Sequence, residues 1–472
     1  MAAHIKFGTS GWRAVMADEF TFHNVRRAVT GIARYVCGEQ PQAARVIIGR
    51  DSRFLGESFV ELAGEVLSSH GIQPLIIAEP APTPTIAWAI ITRRADGGIN
   101  FTASHNPPEY NGIKFSTPDG APALPEVTNR IEAEVIAADQ AGPATGEGGV
   151  PSREEIEVKS DYLKRLQDLI DFAAIRKSGL KVSFDPLWGA ARGYSDELLR
   201  TNGIEVGTVH DCRDVLFGGH APEPDGHLLN DLRCRMRQTG ARIGIATDGD
   251  ADRFGIVDED GAYISPNYVI ALLFDYLVAS RGWRNGVAKS VATTNLINAL
   301  AAHHRVDLYE TPVGFKYIGE LIKQDKIAIG GEESAGLSIR HHVPEKDGVL
   351  AGLLCCEMVA TLGKNLQEQL RALFAKVGSF YPFRENFRLT GEVKAKFTER
   401  LHAEPRRFAS KKVAQVVRTD GLKLVLDDGS WVCYRLSGTE PVVRVYSEAR
   451  SERDLEKLSA AAKQWVFEGH LE

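Results

Sequence analysis

Residues 98–107, GINFTASHNP, decide how the fold of this chain is interpreted. An apolar run, Gly98–Phe101, leads into Ser104 and then an Asn-Pro turn, which is typical of a β-strand that ends in a loop. In open α/β sheets, ligands bind at the ends of such strands. Ser104 is therefore a candidate nucleophile or carrier of a transferred group, although a serine beside a turn more often only caps the backbone.

Strand and helix patterns alternate over the first three-quarters of the chain. Residues 45–49 are typical of a strand, and residues 59–67 then follow helical spacing that stops before Gly71. Further strands are predicted at 76–77, 181–184, 204–209, 290–293, 306–309 and 326–329, with helices ending near 202 and 239. This alternation predicts βαβ units with mostly parallel sheets, and thus an α/β fold.

The pattern changes in the last part of the chain. Short strands are predicted at 415–418, 422–426, 430–436 and 442–447, followed by a helix over 452–466, which is an α+β arrangement. Residues 137–152, AADQAGPATGEGGVPS, are typical of a linker. We therefore expect four domains, at 1–150, 151–258, 259–376 and 377–472.

Composition and charge exclude several classes of protein. The 472 residues are 43% hydrophobic and 25% charged, with a net charge of −6, so neither nucleic acid nor an anionic membrane is an expected partner. The six cysteines show no CxxC pair, and the first residues, MAAHIKFGTSGWR, lack the apolar stretch of a signal peptide. No apolar run is long enough to span a membrane. We expect a cytoplasmic protein with free thiols.

The loop DGDADR, residues 248–253, is a candidate metal site. Asp248, Asp250 and Asp252 stand at alternating positions, and three carboxylates packed this closely invite a divalent cation such as Mg²⁺, Ca²⁺ or Mn²⁺. The spacing also fits an EF-hand, with Glu259 at position 12, but Arg253 stands where that loop requires glycine. Mg²⁺ is favoured because only three protein carboxylates are offered, which leaves room for a phosphate ligand.

Two later loops carry candidate binding residues. The segment RLSGTEPVVR offers guanidinium groups, hydroxyls and a glycine, the parts of a phosphate cradle, although a plain hairpin turn has the same composition; its candidates are Arg435, Ser437, Gly438, Thr439 and Arg444. In the loop GEES, Glu332 and Ser334 either bind sugar hydroxyls or cap a following helix. The loops TASHNP, DGDADR and GEES each follow an apolar strand, which suggests three related domains.

Several basic residues are weaker candidates. Arg13 and Lys114 follow the glycine-bearing loops GTSGWR and NGIK, and each is a surface charge unless it points into the same cleft as Ser104. His105 is adjacent to Ser104 and is a candidate base. Three further residues of the third domain either line its cleft or face solvent: His341, His342 and Lys346.

Together these parts indicate a class of reaction. A serine near a cation site, a separate phosphate cradle and a loop that binds hydroxyls fit phosphoryl transfer on a polyhydroxylated substrate. A serine hydroxyl needs a base and a cation to act as a nucleophile at neutral pH. Positioning and charge neutralisation supply most of the remaining catalysis.

The chain closely resembles the α-D-phosphohexomutase superfamily, which contains the phosphoglucomutases and phosphomannomutases. The resemblance covers essentially the whole length, in the order FGTSGWR, GRDSR, TASHNPPEYNGIKFS, DGDADRFGIVDEDG, TPVGFKYIGE, GGEESAG, EKDG and RLSGTEPVVRVY. It implies three mixed-sheet α/β domains and a C-terminal α+β domain around a central cleft.

The resemblance also implies a mechanism. Ser104 would be phosphorylated, with Mg²⁺ held by the three aspartates and a phosphoserine oxygen. The phosphoryl group would pass to a sugar phosphate, and the resulting hexose 1,6-bisphosphate, which also serves as activator, would turn around and return its other phosphate. Domain closure, with a hinge near 376–379, would exclude water from this step.

By the same resemblance, each candidate residue has a role. Ser437, Thr439 and Arg444 would grip the phosphate that is not reacting, and Glu332 and Ser334 would hold the sugar hydroxyls. Lys114 and Arg253 would sit near the reacting phosphate, with Lys114 and His105 as acid or base. Arg13 would steady the phosphoserine region.

The sugar specificity rests on small departures from the family pattern. The loop GEESAG favours glucose 1-phosphate, with mannose 1-phosphate as a second substrate, because the glucosamine type more often ends in Ser-Gly-His. Ala335 departs from the aromatic residue of glucose-specific members, and Leu436 replaces a common proline. The alternatives are a phosphoglucosamine mutase, a phosphatase or bisphosphate synthase that uses Ser104, and a calcium or sugar-phosphate sensor. A monomer or a dimer is expected.

Overall fold

The computed structural model describes residues 5–8, 10–40, 43–141, 153–436 and 442–468. Within these ranges the chain forms four β-sheets, one after another along the sequence, with helices packed against them. Three sheets mix parallel and antiparallel strands, and the fourth is wholly antiparallel. The predicted architecture of three α/β domains and one α+β domain is confirmed.

The first sheet has the strand order β1-β5-β4-β2-β3-β6. Its elements are β1 (Trp12–Val15), α1 (Phe22–Glu39), β2 (Arg45–Arg50), α2 (Gly56–Ser69), β3 (Gln73–Ile77), α3 (Thr83–Arg93), β4 (Gly98–Phe101), β5 (Tyr110–Ser116), α4 (Pro125–Ala141) and β6 (Glu154–Ile156). Helix α1 starts where the Thr21 hydroxyl accepts from the Asn24 N–H, and it buries its apolar face on the sheet. Helix α4 continues to Ala141, into the segment predicted as a linker, and β6 joins this sheet beyond residue 150.

The second sheet has the order β11-β10-β9-β7-β8. Its elements are α5 (Lys159–Leu169), α6 (Phe172–Ser178), β7 (Val182–Asp185), α7 (Ser195–Thr201), β8 (Val206–Thr208), a 3₁₀ turn (Phe217–Gly219), α8 (Asn230–Thr239), β9 (Ile243–Thr247), β10 (Phe254–Asp258) and β11 (Tyr263–Ile264). Strand β11 extends this sheet past residue 258, because it pairs with β10 across a tight turn.

The third sheet has the order β13-β12-β14-β15. Its elements are α9 (Pro266–Arg281), β12 (Gly286–Ser290), α10 (Leu296–His304), β13 (Leu308–Thr311), α11 (Phe315–Lys323), β14 (Ile327–Glu332), β15 (Gly336–Ile339), α12 (Gly348–Leu362) and α13 (Leu366–Val377). The strand predicted at 290–293 is wrong: β12 ends at Ser290, where a turn brings Thr293 back onto the Ser290 carbonyl. Helix α12 packs against strands of both the second and third sheets, so these two domains share a core.

The fourth sheet has the order β16-β21-β20-β19-β18-β17. Its elements are β16 (Tyr381–Arg388), α14 (Gly391–Arg400), β17 (Arg407–Phe408), β18 (Lys411–Val417), β19 (Leu422–Leu426), β20 (Trp431–Leu436), β21 (Val442–Ala449) and α15 (Glu452–Phe467). The four strands and the last helix predicted here are present. Strand β16 and helix α14 were not predicted. In β16 only Phe387 is buried, and both Phe383 and charged residues are exposed, so the apolar alternation of a half-buried strand is weak.

The first three domains share one local arrangement. In each, a strand with a parallel neighbour on one side turns back into an antiparallel neighbour on the other, as in β4 to β5, β9 to β10 and β14 to β15. The loops at these turns are TASHNP, DGDADR and the turn of GEES. The fold therefore places the three candidate loops at equivalent positions of three related domains.

Helices α12 and α13 follow one another across a short break. Among the described residues, no single helix is both long and apolar enough to cross a bilayer. These two helices reach the required length and composition only together, across a bend of 78°.

Candidate active site

The serine loop of the first domain lies directly against the acidic loop of the second. The Ser104 hydroxyl donates to Asp248 Oδ2 over 2.6 Å, and both residues are buried. Gly249 allows the two loops to come this close, because a Cβ at that position would lie 2.7 Å from the Ser104 carbonyl oxygen. The two loops that the sequence singled out therefore form one site.

A buried arginine holds the serine loop in shape. Ser104 itself has a left-handed backbone, with φ of 52°, which is uncommon for a residue with a side chain. Arg53 is fully buried, and its guanidinium donates to four carbonyls of this loop, those of Ser104, Asn106, Pro107 and Tyr110. Arg53 also pairs with Asp51 at 3.1 Å. The strained conformation is thus fixed by its surroundings.

The Asp51 carboxylate connects this arginine to the strand before the serine. Its Oδ2 accepts from the Thr102 hydroxyl at 2.6 Å, and the Thr102 oxygen in turn accepts from the Ser104 N–H at 2.8 Å. Asp51, Arg53 and Thr102 were not predicted as residues of the site. The motif GRDSR contains Asp51 and Arg53 and is the sequence signal that could have identified them.

The three aspartates fit a divalent cation. One carboxylate oxygen from each of Asp248, Asp250 and Asp252 lies within 4.8 Å of the others, and all three residues are buried. Oδ1 of Asp250 and Oδ1 of Asp252 are buried without a hydrogen-bond partner, whereas their Oδ2 atoms are occupied by protein donors. Two unpartnered anionic oxygens in one buried cluster are the donor set that Mg²⁺ prefers. The EF-hand alternative is wrong, because strands β9 and β10 flank the loop.

Lys114 lies beside the acidic loop. It sits on β5, and its ammonium donates to Asp250 Oδ2 at 2.5 Å and to Asp252 Oδ2 at 2.7 Å. Burial lowers the pKa of Lys114, but the two carboxylates outweigh it, so the net pKa is raised and the group is charged. The structure thus places Lys114 in the site and not on the surface.

His105 and Arg13 lie on the same side of the site. His105 Nδ1 is 3.3 Å from the Ser104 hydroxyl, and burial, with the charges of Arg253 and Arg13, lowers the His105 pKa well below its usual range. The imidazole is therefore neutral at pH 7. Arg13 donates to the Asn106 side chain at 2.8 Å, at the turn that follows the serine.

Arg253 and Lys346 complete the positive wall. The Arg253 N–H donates to Asp248 Oδ1 at 3.0 Å, and its guanidinium lies 3.5 Å from Glu223. Lys346 pairs with Asp252 at 3.1 Å and Glu345 at 3.0 Å, and burial is outweighed by these two acids, so its pKa is raised. Together with Lys114 and Arg13, these two residues bring four cationic side chains around the serine and the aspartates.

The third loop forms a hairpin turn and not a helix start. Glu332 ends β14, and Ser334 lies half-buried in the turn to β15, so the capping alternative is wrong. Glu332 Oε1 accepts from the Gly314 N–H at 2.7 Å, and burial together with the Glu333 charge raises the Glu332 pKa to about 7. Glu333 itself turns inward to the Ser290 hydroxyl at 2.8 Å.

The two histidines that follow do not share one environment. His342 is buried and pairs with Asp347 at 2.7 Å, in contact with the Tyr162 ring, whereas His341 is exposed. His342 also stacks on the Trp88 ring of the first domain, and none of these contacts involves Ser104 or the aspartates of the DGDADR loop. His342 is therefore a structural residue where the first three domains meet.

The fourth domain presents its arginines at the end of a hairpin. Arg435 on β20 pairs with Asp420 at 2.7 Å, which raises the Arg435 pKa despite its burial, and it lies opposite Arg444 on β21. The loop between them includes Ser437, Gly438 and Thr439, which lie outside the described residues. Their role as a phosphate cradle stays a prediction.

Four family models match the chain in order. They are the phosphoglucomutase/phosphomannomutase alpha/beta/alpha domains I, II and III, over residues 4–142, 160–261 and 265–377, and the C-terminal domain, over residues 392–464. Together they cover most of the sequence.

Individual proteins show the same similarity. A phosphoglucomutase/phosphomannomutase of Thermococcus kodakarensis is 32% identical over 446 residues, 94% of this chain and 95% of that protein. A phosphopentomutase of the same organism is 31% identical, over 98% of this chain and 97% of its own length. A solved structure from Thermus thermophilus, assigned as a phosphomannomutase, superposes with a TM-score of 0.85 at 32% identity, over 99% of this chain and 100% of its own. The chain belongs to the phosphoglucomutase/phosphomannomutase family of the α-D-phosphohexomutase superfamily.

Proposed function

We propose that this protein interconverts glucose 1-phosphate and glucose 6-phosphate through a phosphoserine at Ser104 and a bound glucose 1,6-bisphosphate. The observation that carries this proposal is the 2.6 Å hydrogen bond between the Ser104 hydroxyl and Asp248. Because the Ser104 hydroxyl lies at the edge of a buried carboxylate cluster that fits Mg²⁺, the contact supports Ser104 as the acceptor of a phosphoryl group. When bound there, Mg²⁺ would neutralise the charge of the transferred group.

We assign three residues to proton transfer and charge neutralisation at Ser104. The neutral His105 imidazole, 3.3 Å from the hydroxyl, can take the serine proton when the phosphoryl group returns to Ser104. Lys114 and Arg13 lie within the same wall and offset the charge of a phosphate on the serine. Lys114 is the candidate acid, since it is buried and charged.

The sugar is held from the opposite side of the cleft. Glu332, with a pKa of about 7, accepts hydrogen bonds from sugar hydroxyls when ionised, and Ser334 lies next to it in the same turn. Lys346 and Arg253 supply positive charge between this turn and the aspartates. The distant phosphate is assigned to Arg435, Ser437, Gly438, Thr439 and Arg444.

The turn that precedes β15 argues against a strict selectivity for glucose. Ala335 has a left-handed backbone, with φ of 70°, and its carbonyl accepts from the Phe254 N–H at 3.1 Å. By the resemblance to the family, Ala335 stands where glucose-specific members carry a larger aromatic side chain. We therefore infer that the site also accepts mannose 1-phosphate, which differs in one hydroxyl orientation.

The function is tested by measuring product and free phosphate together. Glucose 6-phosphate formation from glucose 1-phosphate, with no matching release of inorganic phosphate, is the expected result. Release of phosphate equal to the loss of substrate would identify a phosphatase. A comparison of kcat/KM for the glucose, mannose and glucosamine phosphates tests the sugar, and a clear preference for glucosamine 1-phosphate would overturn that part.

A reducing compartment also fits the proposal. All six cysteines are described by the structure as free thiols, and three of them are buried. We infer a cytoplasmic enzyme, where sugar phosphates and unpaired thiols occur together.

A further inference from the structure

Two loops of the second domain, beside the metal loop DGDADR, contain four residues with a strained backbone. The φ angles of these residues lie between 47° and 55°, and the residues are Leu187, Trp188, His210 and Phe217. This left-handed conformation is uncommon for a residue with a large side chain. Such residues persist only where the surrounding contacts fix them, and they concentrate at functional sites. The two loops are therefore candidates for a role in positioning the site.

Residues 185–190, the support loop, lie directly against the metal loop. The Ala190 N–H donates to the Gly249 carbonyl at 2.9 Å. Gly189 lies so close that a Cβ there would be 2.8 Å from the Gly249 carbonyl oxygen and 2.9 Å from that of Asp248. No side chain of Gly189 separates the two backbones, so a shift of the support loop is passed directly to the metal loop.

His210 fixes the start of the support loop. Its Nδ1 lies 3.0 Å from Asp185 Oδ1 and 3.1 Å from Asp185 Oδ2, and its Nε2 lies 3.1 Å from Asp231 on α8. Asp185 is fully buried, and its Oδ1 also accepts from the Leu187 N–H at 2.8 Å. Burial lowers the His210 pKa, but the hydrogen bonds and charges of the two carboxylates outweigh it, so the net pKa is raised. The protonated imidazole donates from both nitrogens and joins the support loop to α8.

Trp188 connects the support loop to the second strained loop. Its indole stacks on the His210 ring, with ring centroids 3.7 Å apart, and its backbone N–H donates to the His210 carbonyl at 3.2 Å. Gly218 lies against the same indole, since a Cβ there would be 2.4 Å from the ring atom Cη2. The adjacent Phe217 is fully buried, with its ring 5.1 Å from the guanidinium carbon of Arg53, which holds the serine loop. A continuous set of contacts therefore joins the serine loop to the support loop.

We propose that His210 and Trp188 are positioning residues, which hold the support loop against the metal loop and thereby set the affinity of the site for a divalent cation. They act through the backbone contacts of Gly189 and Ala190 with Gly249. Mg²⁺ demands near-ideal octahedral geometry, so a small shift of the metal loop weakens its binding. The effect on turnover rests on the proposed mutase function, whereas the effect on cation binding is measurable in a protein that carries out no reaction.

The test measures Mn²⁺ binding by electron paramagnetic resonance, which counts the free ion and needs no turnover. Mn²⁺ suits the same carboxylate oxygens as Mg²⁺. Trp188→Leu removes the stack on His210, and His210→Leu removes the hydrogen bonds to the two carboxylates. Each change should raise the Kd for Mn²⁺ about 10-fold, the lower end of the effect of residues that support metal ligands. His210→Leu also leaves the buried Asp185 without its partner, so Trp188→Leu decides the outcome if that variant does not fold.

Conservative variants should restore the affinity. Trp188→Phe keeps an aromatic ring for the stack, and His210→Asn keeps a hydrogen-bond donor at a position where asparagine tolerates the left-handed backbone. Both should bind Mn²⁺ nearly as tightly as the parent. With saturating Mg²⁺, the KM of Trp188→Leu for glucose 1-phosphate should stay unchanged, since the residues proposed to hold the sugar and the distant phosphate lie in the third and fourth domains.

The control for a general loss of stability is Trp283→Leu. Trp283 is a half-buried tryptophan of the third domain, with the guanidinium groups of Arg281 and Arg340 at 5.3 and 5.6 Å from its ring. Its replacement should lower the Tm and leave the Kd for Mn²⁺ unchanged. A fall in Tm without a change in Kd is the behaviour of a residue that only stabilises the fold.

The proposal is overturned if Trp188→Leu binds Mn²⁺ as tightly as the parent, or if Trp283→Leu weakens binding to the same extent. Failure of the proposed mutase function is a separate result. A parent protein that binds Mn²⁺ but does not interconvert sugar phosphates would contradict the mutase function, and the comparison of Kd values would still decide the role of His210 and Trp188. A parent that binds no Mn²⁺ would overturn both.

Discussion

The Thr83 hydroxyl donates to Asp250 Oδ2 across 2.5 Å, and the Thr83 N–H donates to the Asp250 carbonyl at 2.8 Å. Thr83 begins α3 of the first domain, whereas Asp250 belongs to the metal loop of the second. Asn100 on β4 donates to the same threonine hydroxyl at 2.9 Å and so fixes its orientation. Because Thr83 and Lys114 occupy Oδ2, the carboxylate presents Oδ1 to the cation site.

Thr83→Val should weaken Mg²⁺ binding without unfolding the protein. The change keeps the shape of the side chain but removes the hydroxyl that orients Asp250. Residues that hydrogen-bond to a metal ligand typically contribute about 10- to 100-fold to metal affinity. We therefore expect the Mg²⁺ concentration for half-maximal activity to rise by about that factor. Thr83→Ser keeps the hydroxyl and is the matched control. Equal Mg²⁺ dependence in Thr83→Val and the parent would show that Thr83 does not position the ligand.

Arg53→Met should strongly destabilise the protein. The change leaves the buried Asp51 carboxylate unpaired and removes four hydrogen bonds to the serine loop, and breaking a buried pair of this kind costs about 3–5 kcal/mol. Arg53→Lys should recover little, because an ammonium cannot reach the same set of carbonyls. Chemical denaturation measures the effect.

The control for Arg53 is an exposed pair of the same domain. Arg26 lies 3.6 Å from Glu65, with both side chains more than half exposed, so Arg26→Met should change the free energy of unfolding very little. A similar small effect for Arg53→Met would contradict the positioning role of Arg53.

The Glu332→Gln variant should gain stability relative to the parent protein as the pH rises. Burial and the Glu333 charge raise the Glu332 pKa to about 7 in the folded protein, above its value of about 4.5 when unfolded. The folded state therefore holds the proton more tightly, and the parent loses stability as the pH increases from about 4.5 through 7. The glutamine variant lacks this loss, so its Tm advantage over the parent should grow between pH 5 and pH 8. A Tm difference that does not change with pH would contradict the raised pKa of Glu332.

The same residue should couple sugar binding to pH. The parent's kcat/KM for glucose 1-phosphate should rise across pH 7 as Glu332 ionises, and Glu332→Gln should lose both this rise and most of the activity. Glu333→Gln removes one cause of the raised pKa, so it should move the transition to lower pH. Steady-state kinetics over pH 6 to 8 measure both effects, and a transition that stays in place in Glu333→Gln would argue against the assignment.

Glucose 1-phosphate should compact the protein by moving the fourth domain. The chain enters this domain through Gly378, whose φ of 91° requires glycine, directly after α13. Its contacts with the third domain combine a small apolar cluster, in which Ala292 packs with Trp431 and Tyr446, with hydrogen bonds such as that from the Asn295 N–H to Glu448 at 3.0 Å. Small-angle scattering should show a smaller radius of gyration with the sugar phosphate, and Arg444→Leu should abolish the change. An unchanged radius in the parent would exclude closure.

The loops were predictable from sequence because each one carries its signal locally. An apolar strand followed by Ser104, by the three aspartates or by Glu332 is visible within ten residues, and each loop lies at the end of its strand, where ligands bind in such sheets. The resemblance to a family added the order of the motifs. Local pattern could not distinguish a hairpin from a helix start after Glu332, since Ala335 adopts a left-handed backbone that its residue type does not signal.

The supporting residues were missed for a different reason. Arg53 acts on carbonyls more than 50 positions away, and Thr83 acts on Asp250 across 167 positions, so no window of sequence contains both partners. A buried arginine also looks like an ordinary surface charge when only its type is known. These contacts depend on how the domains are packed against each other, which the spacing of residues within one domain does not determine.

The most direct test of the central claim is the intact mass of the protein with and without glucose 1,6-bisphosphate. The account predicts a gain of one phosphoryl group, carried by Ser104 and absent in Ser104→Ala, together with loss of mutase turnover in that variant. A Ser104→Ala protein that still gains the group, or that still interconverts glucose phosphates as fast as the parent, would contradict it.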